Sequence, residues 1–298
     1  MAYSRLGMKD MQEILSHYDV GQMKYFKALK GHANSNFLIR ADKKYVLSVC
    51  NEKKGELSGL VKVMLHLEAK NFPSSRIVMD RGGKYANLYQ GDFVLLRSYI
   101  EGNTPVCMDK HMLHQLGKTI GLLHNLGDLE DIPSCHPYGL SYFGEINDNH
   151  PFSDWLKKKE KRLISKIDAG LPRTLTHGDI FPDNTIYEGN VLRAIIDFEE
   201  TSNYFSIFDI GMAIVGISVL GKVSEEQYKP LIEGYVTERE LKKEEITSLN
   251  TFISYAAAAT AFWRYRQYNL RRPNISQKDS YKVMTQLSDE FENRKFSF

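Results

Sequence analysis

The 298-residue sequence predicts an α+β fold of two lobes, an N-terminal antiparallel β-sheet lobe and a mainly helical C-terminal lobe. Three observations predict it. The first hundred residues carry short alternating runs rich in β-branched and aromatic residues, the pattern of half-buried strands. After "EGNTP" the apolar residues recur at helical spacing instead. Hydrophobic residues make up 42% and charged residues 26%, the balance of a globular chain that buries a core.

Each element has its own signal. "FKALKG" and "NSNFLIRADKKYVLSVC" read as three strands, with "ADKK" turning between the last two. "ELSGLVKVMLHLEAKNFP" reads as a helix. Leu57, Leu60, Val61, Met64, Leu65 and Leu67 form its apolar stripe, and Pro73 stops it. "RIVMDRGGKYANLYQGDFVLLRSYI" reads as further strands with Gly-Gly and Gly-Asp turns. "MDKHMLHQLGKTIGLLHNLG" follows as a helix, with Asp109 as N-cap, Leu113, Leu116, Ile120 and Leu123 on its apolar face, and Gly127 at its end. Residues 128–150 look loop-like, and the lysine run of "WLKKKEKRLISKI" reads as a solvated helix face. "NTIY", "EGN" and "VLRAIIDF" read as strand, turn and strand, with the turn at Gly189. "IGMAIVGISVLG" reads as a buried helix, and helical patterns dominate from about Glu225.

The same features narrow the function classes. A net charge of +2 gives no basic footprint for nucleic acid. Cys50, Cys107 and Cys135 are odd in number and far apart, which argues against a disulfide framework and for a reducing cytoplasm. The charged N-terminal segment lacks the apolar stretch of a secretory leader. The longest apolar run is too short to span a bilayer, so no membrane partner is expected.

The stretch "LTHGDIFPDN" concentrates chemistry. It places His177, Asp179 and Asn184 within eight positions, and the hairpin turning at Gly189 returns Asp197 beside them. An amide oxygen from Asn184 and a carboxylate from Asp197 suit Mg²⁺, a hard ion that prefers a few protein oxygens together with water and phosphate oxygens. Asp179 can then orient a hydroxyl and accept its proton. Metal charge across phosphates and a positioned nucleophile are the parts that phosphoryl transfer needs. Taken singly, Asp179 and Asp183 also suit turns, and Asn184 a loop cap.

H-G-D-x-x-x-x-N followed by I-I-D-F resembles the aminoglycoside phosphotransferase/choline kinase superfamily, which implies a bilobal protein-kinase-like fold. The resemblance covers nearly the whole chain. It implies ATP and Mg²⁺ as cofactors, Asp179 as catalytic base, and Asn184 and Asp197 as metal ligands. It makes His177 a support of the catalytic loop and Asp209, in "FDIGMAI", its buried brace. Asp209 equally suits the first turn of a helix, where the dipole favours an acid. The implied lobes are residues 1–97 for nucleotide binding and 98–298 for catalysis and substrate, with "LLRSYIEG" containing a hinge at 98–101. The Ser98 carbonyl and the Ile100 amide are then the adenine contacts. Gly31, Asn34, Ser35 and Asn36 of "GHANSN" would approach the phosphates. A hairpin turn alone also explains that loop. In "KYVLSV", Ser48 stands where the broad pattern has a phosphate-binding Lys or Arg, with Lys53 and Lys54 as the nearby cations.

Two stretches are similar to type II homoserine kinases: "GHANSNFLI", and "AAAATAFWRYRQYNLRRPNISQKDSYKVM" with its Phe-Trp pair and an arginine three residues later. "HGD" departs from the "HAD" usual in that branch. Tyr255, Ala259, Phe262, Arg266 and Asn269 share one helical stripe. A charge there needs a partner, so Arg266 is expected to hold a substrate carboxylate or else an internal acid. Glu199 and Glu200 face a substrate ammonium or solvent. His124, among apolar neighbours, reads as a satisfied core histidine. The expected partner is a small-molecule hydroxyl substrate, with homoserine favoured. Choline, ethanolamine, hydroxylysine or an aminoglycoside stay open as acceptors. So does a catalytically silent nucleotide-binding protein, which Ser48 favours and the Asp179/Asn184/Asp197 set opposes.

Overall fold

A computed structural model describes residues 6–29, 35–50, 57–221 and 224–294. Gly31 and Asn34 of the expected phosphate loop, and Lys53 and Lys54, lie outside the described residues. Two compact units form. One comprises Met1–Asn103 with Ile186–Glu188 and Arg193–Ile196; the other comprises Thr104–Thr185, Gly189–Leu192 and Asp197–Phe298. Residues 98–101, read as a hinge from the sequence, belong with the first.

The first unit is built on an antiparallel sheet. Its strands are β1 (Tyr25–Ala28), β2 (Ser35–Arg40), β3 (Lys44–Cys50), β4 (Asn87–Tyr89) and β5 (Asp92–Ser98), in the order β1-β2-β3-β5-β4. Successive strand residues point to opposite faces, and the register exploits this. Phe37 lies opposite Leu47, and Leu47 opposite Leu96; Ile39 meets Tyr45, and Val49 meets Val94. These residues join Met11 and Ile14 of helix α1 (Met8–Leu15) in one buried core. Asn36, Ser48 and Arg97 fall on the opposite face by the same alternation. Gln90 and Gly91 turn β4 into β5 with positive φ at both positions, as a tight hairpin requires. The run before them pairs only at Ile77, which bridges Arg97, so one of the expected strands is an isolated bridge.

Helix α2 (Leu57–Ala69) buries Leu57, Leu60, Val63, Met64 and Leu67. Val61 and Leu65, expected in the stripe, are only half-buried. The buried stripe keeps Leu57, Leu60, Met64 and Leu67 of the expected set and adds Val63. Asn71, with φ +54, ends the element before Pro73.

In the second unit, α3 (Lys110–His124) starts at the expected cap: the Met112 amide donates to Asp109 Oδ1 at 2.8 Å. It packs on α6 (Glu225–Val236) at backbone distance. A Cβ at Gly117 would lie 1.8 Å from the Leu231 carbonyl oxygen, and one at Gly234 would lie 1.9 Å from that of His114. Helix α4 (Pro151–Lys166) corrects the reading of the lysine run. Lys157 and Lys158 are exposed, but Lys159 is fully buried, 2.7 Å from Asp289 and 2.6 Å from Glu292 of helix α8 (Ser280–Asn293). The expected loop 128–150 contains a 3₁₀ segment at Leu140–Glu145. Strands β6 (Arg173–Thr176) and β9 (Ser202–Phe205) pair antiparallel, and β7 (Thr185–Glu188) and β8 (Val191–Ile195) form the expected hairpin around Gly189, φ +57. Helix α5 (Ser206–Ser218) is buried along nearly its whole length, beside α7 (Lys243–Tyr265).

The glycine seam between α3 and α6 has no room for a methyl group. Overpacking typically costs about 1–3 kcal/mol, so Gly234→Ala should lower the unfolding free energy by at least that much and move the urea midpoint down with it. Gly144→Ala, where an added Cβ meets no atom within 4 Å, should leave it unmoved.

Candidate active site

The segment after β6 is held by its main chain. β9 leads directly into α5, so the first turn of that helix lies beneath the end of β6. Asp209, fully buried there, accepts the His177 amide at 2.7 Å on Oδ2 and the Gly178 amide at 2.8 Å on Oδ1. Two backbone donors on one carboxylate fix the loop as a rigid turn. Gly178 has φ +84, and a Cβ would lie 2.8 Å from the Glu200 carbonyl oxygen and 2.9 Å from His136 Nδ1. Only glycine satisfies both the backbone angle and the space. His177 is buried, its Nδ1 accepts the Asp179 amide at 3.1 Å, and its ring meets Phe198 edge-on at 4.6 Å.

Behind Asp209 runs a closed polar circuit. His124 Nε2 lies 3.2 Å from Asp209 Oδ2, and its Nδ1 lies 2.8 Å from the Tyr235 hydroxyl. Arg239 donates to that hydroxyl at 2.9 Å and pairs with the buried Glu245 at 3.0 Å. Ser206 donates to Glu245 at 2.9 Å, and its amide returns to the Pro172 carbonyl at 3.1 Å, just before β6. With its oxygen taken by Arg239, Tyr235 donates to His124, and the protonated Nε2 donates to Asp209. Burial alone would raise the Asp209 pKa. The hydrogen bond from His124, the polar ring of His177 and the Gly178 amide outweigh it and hold the carboxyl below the usual range.

The loop delivers three expected residues. The 3₁₀ turn Pro182–Asn184 aims the Asn184 amide nitrogen at Asp179, where it donates to the carbonyl oxygen at 2.8 Å and to Oδ2 at 3.0 Å. Those bonds use the amide nitrogen and leave Asn184 Oδ1 for another partner. Asp197 follows β8 in the left-handed region, φ +70, and its charge acts on Asp179. Burial, then Asp197, Glu200 and Asp183, push the Asp179 carboxyl up to about 7 against the opposing Asn184 bond. Tyr138, buried at the same place, donates to the Gly178 carbonyl at 3.4 Å, and burial, then the charge of Asp179, raises its hydroxyl well above the usual range. Among the described residues, no three His, Cys, Asp or Glu side chains gather to hold a metal by themselves. The free amide oxygen of Asn184 and the Asp197 carboxylate fit a divalent ion whose shell is completed by phosphate and water oxygens.

The family model described as "Phosphotransferase enzyme family" matches residues 27–243. The chain belongs to that family. This phosphotransferase is an enzyme, a hydroxyl-accepting kinase. It is 25% identical over 306 residues to a homoserine kinase of Rhizobium etli, covering 96% of this chain and 94% of the relative. In fold it is similar to an amicoumacin kinase solved with AMP-PNP, Ca²⁺ and Ami, with a TM-score of 0.78, 13% identity, and coverage of 96% of this chain and 95% of that one. A microcompartment-associated aminopropanol kinase gives a TM-score of 0.75 at 16% identity, covering 95% of each chain.

Other expected residues of the phosphotransferase fall as follows. Glu199 and Glu200 form one 3₁₀ turn after Asp197, both half-buried, and the Glu200 charge acts on Asp179. Arg266 pairs with Glu145 at 2.9 Å and stacks on Phe262 with its guanidinium carbon 4.8 Å from the ring centre. That internal partner removes the unpaired charge on which its expected substrate role rested. Helix α7 gives way to a wider π-helical segment at Arg266–Arg271, so the stripe does not continue as a regular helix would carry it. In the first unit, Ser48 donates to Asn36 Oδ1 at 2.5 Å and accepts from Arg97 at 2.6 Å. Ser35, the neighbour of Asn36, is buried and opens β2. The Ser98 hydroxyl accepts the Arg76 amide at 2.8 Å, and the Ile100 amide has no protein acceptor among the described residues.

Arg264 was not expected from the sequence. α5 and α7 pack side by side: Phe205 meets Phe252 at 5.4 Å between ring centres, Phe208 meets Tyr255 at 4.9 Å, and Thr260 reaches Met212 at 3.7 Å. One further turn brings Arg264 level with Gly216, where a Cβ would lie 2.7 Å from the Ile180 carbonyl oxygen. Its guanidinium feels both Asp183 and Asp179, donates to the Ser280 carbonyl at 3.0 Å, and has no carboxylate ion-pair partner among the described residues.

A carboxyl raised in the folded state contributes stability that is complete below its unfolded pKa, near 3.8, and is lost as pH rises through about 7. Metal-free Asp179→Asn should therefore melt higher than wild type at pH 8, with the gap closing toward pH 4. Melting curves in chelator across that range check it; a gap independent of pH contradicts the assignment.

Proposed function

We propose that the chain is an ATP- and Mg²⁺-dependent kinase that converts homoserine to O-phosphohomoserine. The observation that carries the reaction type is Asp179, held by its neighbours with a carboxylate oxygen bonded to Asn184 and with Asp197 close by. The acceptor hydroxyl gives its proton to the Asp179 carboxylate while its oxygen attacks the γ-phosphorus. The new O–P bond forms as the bond between that phosphorus and the bridging oxygen breaks, and ADP leaves with the electron pair. Mg²⁺ on Asn184 and Asp197 would supply charge to offset the phosphate oxygens. Asp209 and the His124 circuit keep the base in place through the loop backbone.

Three supports favour homoserine. The homoserine kinase relative spans nearly the whole chain. Arg264 offers a half-buried cation near the base, suited to a substrate carboxylate. Glu200 offers a carboxylate near it for the substrate ammonium. Cys50, Cys107 and Cys135 are not joined in disulfides, which supports a cytoplasmic setting.

Asp179→Asn should retain MgATP binding and lose turnover by about 10²–10⁴-fold, the usual share of general base catalysis. Asp197→Ala should lose metal-dependent nucleotide binding in calorimetric titration, and normal binding would refute its ligand role. For the acceptor, Arg264→Ala should lower kcat/KM for homoserine by about 30-fold or more while sparing 3-aminopropan-1-ol, which has the same chain without the carboxylate. Arg266→Ala, whose partner is Glu145, should not discriminate between the two. A wild-type enzyme that favours 3-aminopropan-1-ol would remove homoserine and leave the kinase.

A further inference from the structure

Ser48 leaves the inner part of the central strand without a cation, since Lys44 at its start is paired with Glu101, yet a cation stands beside it. β3 and β5 pair with Ser48 opposite Leu95 and Val46 opposite Arg97. Arg97 is thus the diagonal neighbour of Ser48 on the same face, within reach of a long side chain. Its guanidinium donates to the Ser48 hydroxyl at 2.6 Å, and that hydroxyl donates to Asn36 Oδ1 at 2.5 Å. Ser48 is buried, and Arg97 is half-buried.

The bonding of Arg97 is incomplete. A guanidinium carries five N–H donors, and a single hydrogen bond, to a neutral hydroxyl, engages this one. No carboxylate lies within ion-pair distance among the described residues. The other described arginines from β1 to β5 differ. Arg76 is wrapped by the Phe72 and Ser74 carbonyls and the Ser74 hydroxyl. Arg81 is exposed beside Asp19, and Arg40 is exposed. A partly desolvated charge held without a counter-ion is costly unless an anion arrives to complete it. Ser48 also has a defined part. A lysine at 48 would bring a second positive charge against Arg97, whereas a small hydroxyl both leaves the space and orients the guanidinium through one bond. Asn36 locks that hydroxyl in turn.

We propose that Arg97 supplies the cation that binds the nucleotide phosphates, delivered from β5 in place of one from β3. This rests on the reading of the chain as an ATP-dependent kinase. A guanidinium can take two phosphate oxygens at once, so the substitution moves the charge to a different strand without losing it.

Relocating the charge tests this. MgATP and adenosine affinities are measured calorimetrically for wild type, Arg97→Gln, Arg97→Lys and the double variant Arg97→Gln/Ser48→Lys, with a thermal melt of each. Arg97→Gln should weaken MgATP by about 10- to 100-fold, the loss of hydrogen bonds to a charged group, and leave adenosine unchanged. Arg97→Lys should keep part of the affinity, and Ser48→Lys should restore part of it in the Arg97→Gln background. Unaltered MgATP affinity in Arg97→Gln overturns the proposal while the kinase reading stands. Equal loss for MgATP and adenosine also overturns it, because the residue is then structural. A wild-type protein that binds no MgATP overturns the kinase reading and the role of Arg97 together.

Discussion

The candidate site depends on one carboxylate that does no chemistry. Asp209 takes the amides of His177 and Gly178, and everything downstream is aimed by that grip. Gly178 turns because it is anchored there, and Asp179 points where it does because Gly178 has turned. Asn184 then reaches back to Asp179 from the following 3₁₀ turn. The anchor is itself pinned from behind, since a buried carboxylate without donors would be unstable as an anion. His124, Tyr235, Arg239, Glu245 and Ser206 satisfy it in sequence and return to the backbone just before β6. Helices α3, α5, α6 and α7 each contribute to that circuit, which explains why α3 and α6 meet at glycines: His124 and Tyr235 can bond only if their helices lie close.

The electrostatics of the two units differ in sign. Around Asp179 the second unit gathers Asp183, Asp197 and Glu200, and this crowding, after burial, raises the Asp179 pKa. Such a site is poorly satisfied without cations. Arg264 is the protein's own nearby cation, and the proposed divalent ion would answer the remainder. On the sheet of the first unit the imbalance is reversed, with Arg97 a cation short of anions.

What the sequence disclosed follows from distance along the chain. His177, Asp179, Asn184 and Asp197 lie within 21 positions and a single hairpin joins them, so spacing alone brought them together. Asp109 as N-cap, the turn at Gly189 and the buried α5 were legible for the same reason. Arg97 was not, because its partner Ser48 is 49 residues away and only strand register makes them neighbours. Lys159 was misread as solvated because its acids arrive 130 residues later, on α8. Arg264 and Arg266 could not be told apart by a helical wheel, since the helix changes its winding just where the choice falls. Gly31 and Asn34 lie outside the described residues.

The grip of Asp209 is on main-chain N–H groups, not on side chains. A substitution at Ile180, Phe181 or Asp183 therefore need not disturb the anchor that places Asp179. The same holds on the far side: α7 lends the site Arg264 from the surface of a helix whose fixed contacts to α5 lie further back, at Phe252, Tyr255 and Thr260. On the proposed reading, the apparatus that moves phosphate and the helix end that would select its recipient are thus mechanically separable. A scaffold arranged this way can exchange one recipient for another by single replacements at the helix end, without rebuilding the part that performs the transfer.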